Sequence, residues 1–399
     1  MARRRKERLF QFSLRGLDTN LIVVLFFIMV FGFIMIYSAS YYTAGLNKNY
    51  NYDSMYLLKN QMIYSALGLV AMLVVSCINY HVWSRLAVIG YIACLVLIAF
   101  LKTPLGVTVK GATRWLRLGP IQFQVAEPVK LIMIIFMATL IVARGRGMKS
   151  WVSMLKMVLP SAIISGMILI ISDNMSTAAI LLGTAVFMIY VVHPEQWKFI
   201  LCAVGIAALV AGVLYYVQGL EPTQMDEVNF RLARIRAWLN PYEYEQDTAY
   251  QSLQGLYAIG SGGVWGKGLG NSIQKLGKIP EPYNDYIFAI ICEELGIFGA
   301  GMIILLFIYL LYRIYTISQT AEDMFGRMLS IGVFSHIALQ VILNLMVVTN
   351  LFPTTGVTLP FFSYGGTASV FLLIEIGLVL SVNKYSVKKR MEAIREARY

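Results

Sequence analysis

The sequence predicts an all-α polytopic membrane protein with about ten transmembrane helices and a large extracellular loop between helices 7 and 8. Three observations predict this fold class. Hydrophobic residues make up 58% of the 399-residue chain, and its mean hydropathy is +0.68. Charged residues make up 14%, compared with about 25% in a typical soluble domain. Runs of about 18 to 25 apolar residues recur along the chain, each long enough to cross a bilayer.

Ten such runs can be placed in order, and the fifth and sixth are separated only by a turn around Ser172 to Met175. A tight turn between two apolar runs is compatible with two antiparallel spans. The predicted spans are 20–38, 60–78, 82–101, 125–143, 157–172, 176–193, 198–217, 286–312, 328–349 and 360–382.

Basic residues concentrate before the first span, between the fourth and fifth, and after the last. Ten spans put these segments on one side, which the positive-inside rule makes cytoplasmic. The net charge of +12 is thereby explained without nucleic acid. The chain divides into a basic cytoplasmic N-terminal segment (1–19), a ten-helix membrane domain (20–383) with an outer loop at 218–285, and a basic cytoplasmic tail (384–399). The N-terminus has no cleavage-site pattern, so we predict no removable signal peptide.

The positions of the cysteines and histidines indicate neither a disulfide framework nor a metal site. The four cysteines all lie within apolar runs, which indicates packing rather than a disulfide framework. The three histidines are far apart and have no metal-ligand spacing. We therefore predict no metal-binding residues.

Three carboxylates follow a loop rich in glycine and proline, in the stretch NSIQKLGKIPEPYNDYIFAIICEELGIFG that begins at Asn271. Asp285 lies where the apolar helix begins, and Glu293 and Glu294 follow about 12 Å along it. Carboxylates within a membrane helix are costly and favour a functional role. The alternative for Asp285 is an N-terminal helix cap, and Glu293 and Glu294 are left as structural or functional.

Cationic and aromatic residues mark the first outer segment, GVTVKGATRWLRLGPIQFQVAEPVK. Arg114 could bind phosphate through its planar fork, with Trp115 packing on a lipid or sugar. Both could instead be interfacial anchors. Glu127 and Lys130 are three residues apart and share a helix face. They are either an internal ion pair or a pair in which Lys130 faces a phosphate.

Three other segments carry weaker signals. Asp173 lies in a tight turn, where aspartate is an ordinary turn residue. Arg234 and Arg236 belong to a basic stretch of the long outer loop, which retains apolar residues and is therefore typical of a functional loop. Small residues around Ser363 and Gly365 allow either close helix packing or close approach of a ligand.

Taken together, these motifs resemble the SEDS family of peptidoglycan polymerases, the FtsW and RodA type. The resemblance covers nearly the whole chain. The run GKGLGNSIQK is more similar to the division-type FtsW branch, or its sporulation relative SpoVE, than to the elongation-type RodA branch. The three segments that carry the resemblance are GATRWLRLGPIQFQVAEPVK, YQSLQGLYAIGSGGVWGKGLGNSIQKLGKIPEPYNDYIFAIICEELG and NLFPTTGVTLPFFSYGGTAS.

The resemblance implies a glycosyltransferase that polymerises lipid II into β-1,4 glycan strands at the outer face of the bacterial cytoplasmic membrane, at the division septum. The family's essential aspartate falls on Asp285, although Tyr283 and Asn284 replace its usual His and Thr. Lys275 and Glu281 lie in the same motif, and we assign them to substrate binding. The full predicted substrate-binding set is Arg114, Trp115, Glu127, Lys130, Lys275, Glu281, Ser363 and Gly365.

The implied reaction turns an α-linked pyrophosphate into a β-1,4 bond, so it inverts the anomeric carbon and requires one base. Asp285 is the predicted general base, and cationic residues would stabilise the leaving pyrophosphate. No cofactor is required by this scheme. A divalent cation, magnesium or manganese, that bridges the pyrophosphate is left open.

The partners implied are lipid II, glycan linked to undecaprenyl pyrophosphate, membrane lipid, a class B penicillin-binding protein as transpeptidase, and other divisome proteins. Three alternatives are retained. A lipid II flippase would also carry polar groups within its spans. A scaffold for division proteins would explain the basic termini but not Asp285. An elongation-type polymerase would share the site but serve cell shape.

Overall fold

The structure is a computed structural model of the 399-residue chain. Most of the basic N-terminal segment and the last two residues lie outside the part that it describes. The described residues are 16–109, 111–119, 121–145, 150–219, 230–246 and 249–397.

Ten helices in this part of the chain are long and apolar enough to cross a membrane. They confirm the ten predicted spans, including the closely spaced fifth and sixth. Two shorter helices precede the eighth span. The helices are α1 (Thr19–Leu46), α2 (Tyr56–Cys77), α3 (His81–Phe100), α4 (Ala126–Arg144), α5 (Trp151–Ile171), α6 (Met175–Val192), α7 (Trp197–Gln218), α8 (Phe230–Leu239), α9 (Tyr250–Gly262), α10 (Ile287–Thr320), α11 (Met324–Val348) and α12 (Thr367–Glu396).

The long helices alternate in direction, so the connections between them lie at two ends of the bundle. We call one end the loop face; it holds the described parts of 47–55, 101–125, 172–174, 219–286 and 349–366. The other end, the terminal face, holds residues 16–18, 78–80, 193–196 and 321–323 and the last turns of α12. The predicted tail from residue 384 is, where described, a continuation of α12.

A small antiparallel sheet adds to the predicted helical fold. Its strands are β1 (Gly106–Val109), β2 (Ala112–Leu118) and β3 (Ile121–Gln124), paired in that order. Gly111 and Gly119 adopt positive φ in the two connections (80° and 61°), which glycine tolerates without steric cost. The sheet presents Arg114 and Trp115 at the loop face.

The eighth span was predicted as one continuous helix, but the backbone of α10 is broken at Gly296 (φ 67°, ψ −169°). In an unbroken helix, the carbonyl oxygens of Glu293 and Glu294 would accept from the amides four residues later. Here they accept from Lys267 N–H and Gly268 N–H instead, both at 2.9 Å. The loop before α10 therefore replaces one turn of the helix.

The same loop also satisfies the amides on the far side of the break. Ile297 N–H donates to Gly263 O at 3.0 Å, and Phe298 N–H donates to Val264 O at 3.2 Å. We call residues 263–268 the inserted loop. Because these backbone groups are paired within the protein, the interruption is compatible with a helix that crosses a membrane.

Glycine allows this insertion at its narrowest point. Gly266 has a φ of 78°, and a Cβ there would lie 2.2 Å from Glu294 O. A side chain at this position would separate the inserted loop from α10. The glycine-rich sequence before α10 is therefore explained by packing of the inserted loop.

The bundle core lies between α1, α2, α4, α6, α10, α11 and α12. At the α2–α12 contact, a Cβ at Gly377 would lie 2.7 Å from Met72 O, so these two helices meet backbone to backbone. In contrast, the fully described α7 buries just Lys198 and Val217. It lies at the edge of the bundle.

Candidate functional site

Asp285 lies at the loop face, two residues before the first residue of α10, and it is half-buried. The residue at the N-cap position of α10 is Tyr286, and its side chain makes no capping hydrogen bond. The capping alternative for Asp285 is thus not what the structure shows. Its carboxylate oxygens lie beside Gln251 of α9 and Gly356 of the 349–366 loop.

Among the described residues, Asn344, Gln251 and Gly356 lie beside Asp285. Asn344 of α11 donates from Nδ2 to Asp285 O (2.8 Å) and to Val357 O (2.7 Å), which fixes the backbone at position 285. Gln251 Nε2 of α9 donates to Asp285 Oδ1 at 3.4 Å. Gly356 faces the other carboxylate oxygen, because a Cβ there would lie 3.9 Å from Asp285 Oδ2. The carboxylate is held between α9 and the 349–366 loop.

The cationic part of the site is formed by Arg114 on β2. Its guanidinium donates to the carbonyl oxygens at the end of α5, from Nη2 to Asp173 O at 3.0 Å and from Nε to Ser172 O at 3.4 Å. Burial lowers the pKa of Arg114, the Asp173 carboxylate raises it, and the Arg234 guanidinium lowers it again. The structure therefore brings Arg114, Asp173 and Arg234 together, and Arg114 remains a cation near neutral pH.

Two contacts join this cationic group to the 349–366 loop beside Asp285. Ser176 Oγ, in the first turn of α6, donates to Thr355 O at 2.7 Å. Trp238 Nε1, on α8, donates to Asn350 O at 2.8 Å. Asp285 and the arginines therefore belong to one group of elements at the loop face. Arg236 is half-buried on α8.

Glu127 and Lys130 form an internal ion pair in the first turns of α4. The Lys130 Nζ to Glu127 Oε1 distance is 3.0 Å, and the two residues are 6% and 5% exposed. Lys130 and His336 also line a small cavity. The space in it that the centre of a water molecule can occupy is about 10 Å³. Of the two interpretations open at the sequence level, the geometry shows the internal pair.

Lys275 was predicted to bind substrate, and the structure places it in the protein interior. It is 0% exposed, and its ammonium donates to Glu294 Oε1 (2.6 Å), Gly270 O (2.7 Å) and Ser38 Oγ (2.9 Å). Those contacts use all three N–H groups of the ammonium. Lys275 and Glu294 are a buried structural pair beneath the site.

Glu293 joins the loop before α10 to the helix itself. It accepts from Lys267 Nζ at 2.7 Å and from the backbone N–H groups of Ile273 (3.1 Å) and Gln274 (3.2 Å), and Ser272 Oγ also donates to it. The carboxylate is fully buried and hydrogen-bonded on both oxygens. Its role in the structure is to hold the loop that leads to Asp285.

The other four residues of the predicted substrate-binding set differ in burial and in their hydrogen-bond partners. Glu281 adopts a left-handed backbone (φ 48°) and accepts from Asn284 Nδ2 at 2.8 Å, near Asp285. Ser363 is buried, with Oγ accepting from Leu359 N–H at 2.8 Å, so it braces its own loop. Gly365 N–H donates to Gln61 Oε1 at 3.3 Å. Trp115 is half-buried on β2 beside Arg114.

Sequence reasoning did not identify Gln251, Asn344 and Gly356 as neighbours of Asp285. Gln251 is one of two glutamines in α9, and Asn344 is one of two amide side chains in α11, the other being Gln340. An amide in a membrane span is costly unless it is paired, which is a signal that could have singled out Asn344. Gly356 carries no comparable signal.

A resident metal is not supported by the donor set. Across the residues that the structure describes, no group of three or more His, Cys, Asp or Glu side chains lies close enough to hold an ion. The carboxylates of Glu293 and Glu294 are already paired with lysines. We derive no step through a protein-bound metal.

The fold and site define a polytopic membrane protein. Its ten-helix bundle carries a half-buried carboxylate, Asp285, and the arginines Arg114 and Arg234 at one face. The family of FtsW, RodA and SpoVE cell cycle proteins matches residues 18–388. The chain belongs to this family.

Relatives and solved structures agree with that assignment. Stage V sporulation protein E of Bacillus subtilis (strain 168) is 33% identical over 371 residues, covering 92% of this chain and 97% of the relative. The probable peptidoglycan glycosyltransferase FtsW of Geobacter sp. (strain M18) is 33% identical over 372 residues, with the same coverage of 92% and 97%.

Two solved structures are similar in fold. A chain of a peptidoglycan synthase complex, solved in a study of the coordination of polymerization and crosslinking, has a TM-score of 0.75 and 24% identity, covering 94% of this chain and 99% of that chain. Thermus thermophilus rod shape determining protein RodA has a TM-score of 0.61 and 25% identity, covering 93% and 97%.

Proposed function

We propose that this chain is a peptidoglycan glycosyltransferase that polymerises lipid II into β-1,4 glycan strands. The observation that carries the proposal is the placement of Asp285 at the loop face, in one group of elements with Arg114 and Arg234. Support also comes from its family, in which relatives such as the FtsW of Geobacter sp. are named probable peptidoglycan glycosyltransferases.

In the proposed reaction, Asp285 accepts the proton of the acceptor sugar's 4-hydroxyl. The hydroxyl oxygen then attacks the anomeric carbon of the donor, and the bond from that carbon to the pyrophosphate breaks. The electron pair leaves with undecaprenyl pyrophosphate, and the anomeric carbon is inverted. A carboxylate in hydrogen-bond reach of a hydroxyl is a suitable general base.

The leaving pyrophosphate gains negative charge, which the guanidinium groups of Arg114 and Arg234 would stabilise. Arg114 already donates to two carbonyl oxygens, so its orientation is set before substrate arrives. A divalent cation could enter with the pyrophosphate as part of the substrate. It plays no part in the steps assigned to Asp285.

We place the loop face outside the cytoplasmic membrane and both termini in the cytoplasm. The basic segments at the chain ends support this orientation. Because both substrates stay attached to lipid, the site must open to the outer leaflet. We assign the activity to septal wall synthesis, with an elongation role as the alternative.

The cross-linking step needs a partner, because we assign glycan polymerisation alone to this chain. We propose a class B penicillin-binding protein, acting with other divisome proteins. The similar fold of a chain from a peptidoglycan synthase complex that couples polymerization with crosslinking supports this. Exposed apolar residues on α10, such as Ile297 and Phe298 (68% and 67% exposed), would suit a partner's transmembrane helix.

One observation favours a second candidate, a lipid II transporter. Interrupted helices such as α10 are typical of transporter binding sites. Here, however, the interruption is filled by the inserted loop, and its backbone groups are paired. A transporter would leave such groups to coordinate a substrate.

Purified protein in liposomes with labelled lipid II separates these functions. Glycan chains would support the polymerase, whereas translocation without chains would support the transporter. If neither is observed, even with the co-expressed penicillin-binding protein, the scaffold alternative is favoured.

A further inference from the structure

Five tyrosines from three separate segments meet at the loop face. They come from the α1–α2 connection and α2, from the loop before Asp285, and from the loop before α12. The five form what we call the tyrosine cluster: Tyr50, Tyr56, Tyr64, Tyr283 and Tyr364.

The rings contact one another directly. Tyr50 and Tyr56 are stacked with ring centroids 5.1 Å apart, and Tyr283 and Tyr364 meet edge to face at 6.1 Å. The hydroxyls of Tyr50 and Tyr283 lie 3.4 Å apart. Rings and hydroxyls are thus combined in one surface.

The hydroxyl groups converge around Tyr364. The pKa of Tyr364 is raised to about 12, mainly by burial and also by the nearby phenols of Tyr64, Tyr56 and Tyr50, while a hydrogen bond with Asn60 lowers it. Tyr50, Tyr56, Tyr64 and Tyr364 are half-buried, so each keeps some exposed surface, whereas Tyr283 is buried. An accessible group of aromatic rings with polar edges is typical of a small-molecule site.

The cluster is joined to the proposed base through the backbone. Tyr364 N–H donates to Tyr283 O at 2.9 Å, and Asp285 follows Tyr283 by two residues. The Asp285 side chain contacts Gln251 and lies beside Gly356, whereas the Tyr283 ring contacts Tyr50 and Tyr364. Asp285 therefore lies between two groups of different chemistry.

The two groups differ in charge. Arg114 and Arg234 accompany Asp173 on one side, where a pyrophosphate would be stabilised. The tyrosine cluster itself carries no charged side chain, and the Glu281 carboxylate lies near Tyr283. Uncharged rings with hydroxyl groups suit an uncharged, hydroxyl-rich ligand, and a carboxylate can accept from sugar hydroxyls.

We propose that the tyrosine cluster is a carbohydrate subsite that holds sugar rings of the glycan strand next to the reacting end. This rests on the proposed polymerase function. Aromatic faces pack against the C–H faces of a pyranose, while the phenols and Glu281 exchange hydrogen bonds with its hydroxyls. Such contacts do not depend on position along a repeating strand, so the strand can advance after each addition.

Tyrosines at a membrane surface also occur as interfacial anchors. Anchors interact with lipid head groups, and replacing one does not change sugar binding or product length. The experiment therefore measures sugar contact first, by saturation-transfer NMR of the detergent-purified full chain with chitotetraose, a soluble β-1,4-linked oligosaccharide. The two test variants are Tyr56→Leu and Tyr64→Leu, and the matched control is Tyr52→Leu, on an exposed tyrosine (62%) of the same connection.

Saturation of the aromatic protons is expected to transfer to the sugar in the wild type and in Tyr52→Leu, and to fall at least threefold in Tyr56→Leu and Tyr64→Leu. Tyr56→Phe should retain it. Equal transfer in all variants, or no transfer in the wild type, would overturn the subsite. Size-exclusion profiles identify any variant that has lost its fold, and the remaining variant then decides.

Product length provides the second measurement. With labelled lipid II, the Tyr56→Leu and Tyr64→Leu proteins should make glycan chains at least twofold shorter than those made by the wild type and by Tyr52→Leu. Unchanged chain length contradicts a strand-holding role. If the wild type binds chitotetraose but makes no glycan, the proposed polymerase function fails while sugar binding at the cluster stands.

Discussion

Gly262 packs directly on the backbone of Cys292, so closely that a Cβ at position 262 would lie 2.0 Å from the Cys292 carbonyl oxygen. The end of α9 and the first half of α10 therefore touch without intervening side chains. A carbonyl oxygen of a helix cannot move aside alone. Any side chain at position 262 must displace the half-helix that begins two residues after Asp285.

Gly262→Ala is expected to reduce both stability and polymerisation. Overpacking of this kind costs about 1 to 3 kcal/mol, and the displacement reaches Asp285. The measurements are the thermal unfolding midpoint in detergent and the rate of glycan synthesis per folded molecule. The matched control is Gly260→Ala, in the same helix, where a Cβ meets nothing within 4 Å; it should be neutral or slightly stabilising. Equal behaviour of the two variants would contradict the backbone contact.

The buried Lys275–Glu294 pair gives a second prediction. Lys275→Met leaves a carboxylate buried with Ser38 as its remaining partner, which should lower the free energy of unfolding by about 3 to 5 kcal/mol. Adding Glu294→Leu removes the unpaired charge and should restore much of that loss. Thermal unfolding of the single and double variants tests this coupling.

The exposed pair Lys59–Asp53 is the control for that experiment, since its side chains are 59% and 36% exposed. Lys59→Met should change stability little, because solvent screens exposed pairs. A Lys275→Met protein as stable as Lys59→Met would show that the buried pair does not hold the loop.

Sequence alone located the ten spans, because apolar length is a local signal, and it placed Asp285 at the start of the eighth span, where the structure also has it. It could not locate the break in α10. Gly296 lies within an apolar run and looks compatible with a continuous helix. The groups that stabilise the break, at positions 263–268, lie about thirty residues earlier in the chain.

Lys275 shows the same limit for the site. Lys275 was assigned to substrate binding because it lies in the motif that leads to Asp285. Its burial depends on Ser38, 237 residues away, and on Glu294. Neither pairing has a signature in local pattern or spacing, so the role of Lys275 required the tertiary structure.

Asp285→Asn should lower the rate of glycan synthesis by about 100-fold or more, since loss of a general base typically costs 10²–10⁴ in rate. The amide keeps the size of the side chain but cannot accept the proton. Labelled lipid II incorporation by equal amounts of folded protein is the measurement. Asp53→Asn, at an exposed aspartate of the loop face, should leave the rate unchanged. A fully active Asp285→Asn protein would exclude Asp285 as the base.

Arg114→Lys should reduce polymerisation by roughly 10- to 100-fold, which corresponds to about 1.5 to 3 kcal/mol for lost hydrogen bonds to a charged group. Lysine keeps the charge but loses the planar fork that contacts Asp173 O and Ser172 O. Initial rates at several lipid II concentrations give kcat and KM separately.

Arg117→Lys on the same strand is the control for Arg114, because Arg117 is exposed and contacts Gln122 Oε1 at 3.3 Å. Its rate should stay near that of the wild type. If Arg114→Lys and Arg114→Ala were both fully active, Arg114 would be an anchor of the sheet and not a phosphate-binding residue.

The terminal face contains a pH-sensitive contact at Asp323, which caps α11. Burial raises the pKa of Asp323, but hydrogen bonds from His81, from Gly326 N–H and from Tyr80 outweigh burial and hold the pKa below its ordinary value. The distances are 2.8 Å to His81 Nε2, 2.9 Å to Gly326 N and 2.8 Å to Tyr80 Oη. A lowered pKa means that the folded state favours the ionised carboxylate.

The sign of the pH effect follows from this. Asp323 contributes stability above its unfolded-state pKa of about 3.9, and this contribution is lost as pH falls through the lower folded-state pKa. Asp323→Asn should therefore unfold at a lower temperature than the wild type at pH 7, and the difference should shrink as pH falls below about 4. Glu392→Gln, at an exposed position of α12, should show no such pH-dependent difference. A difference between Asp323→Asn and the wild type that stays constant from pH 7 to pH 3 would mean that the charge of Asp323 does not hold α11 to His81.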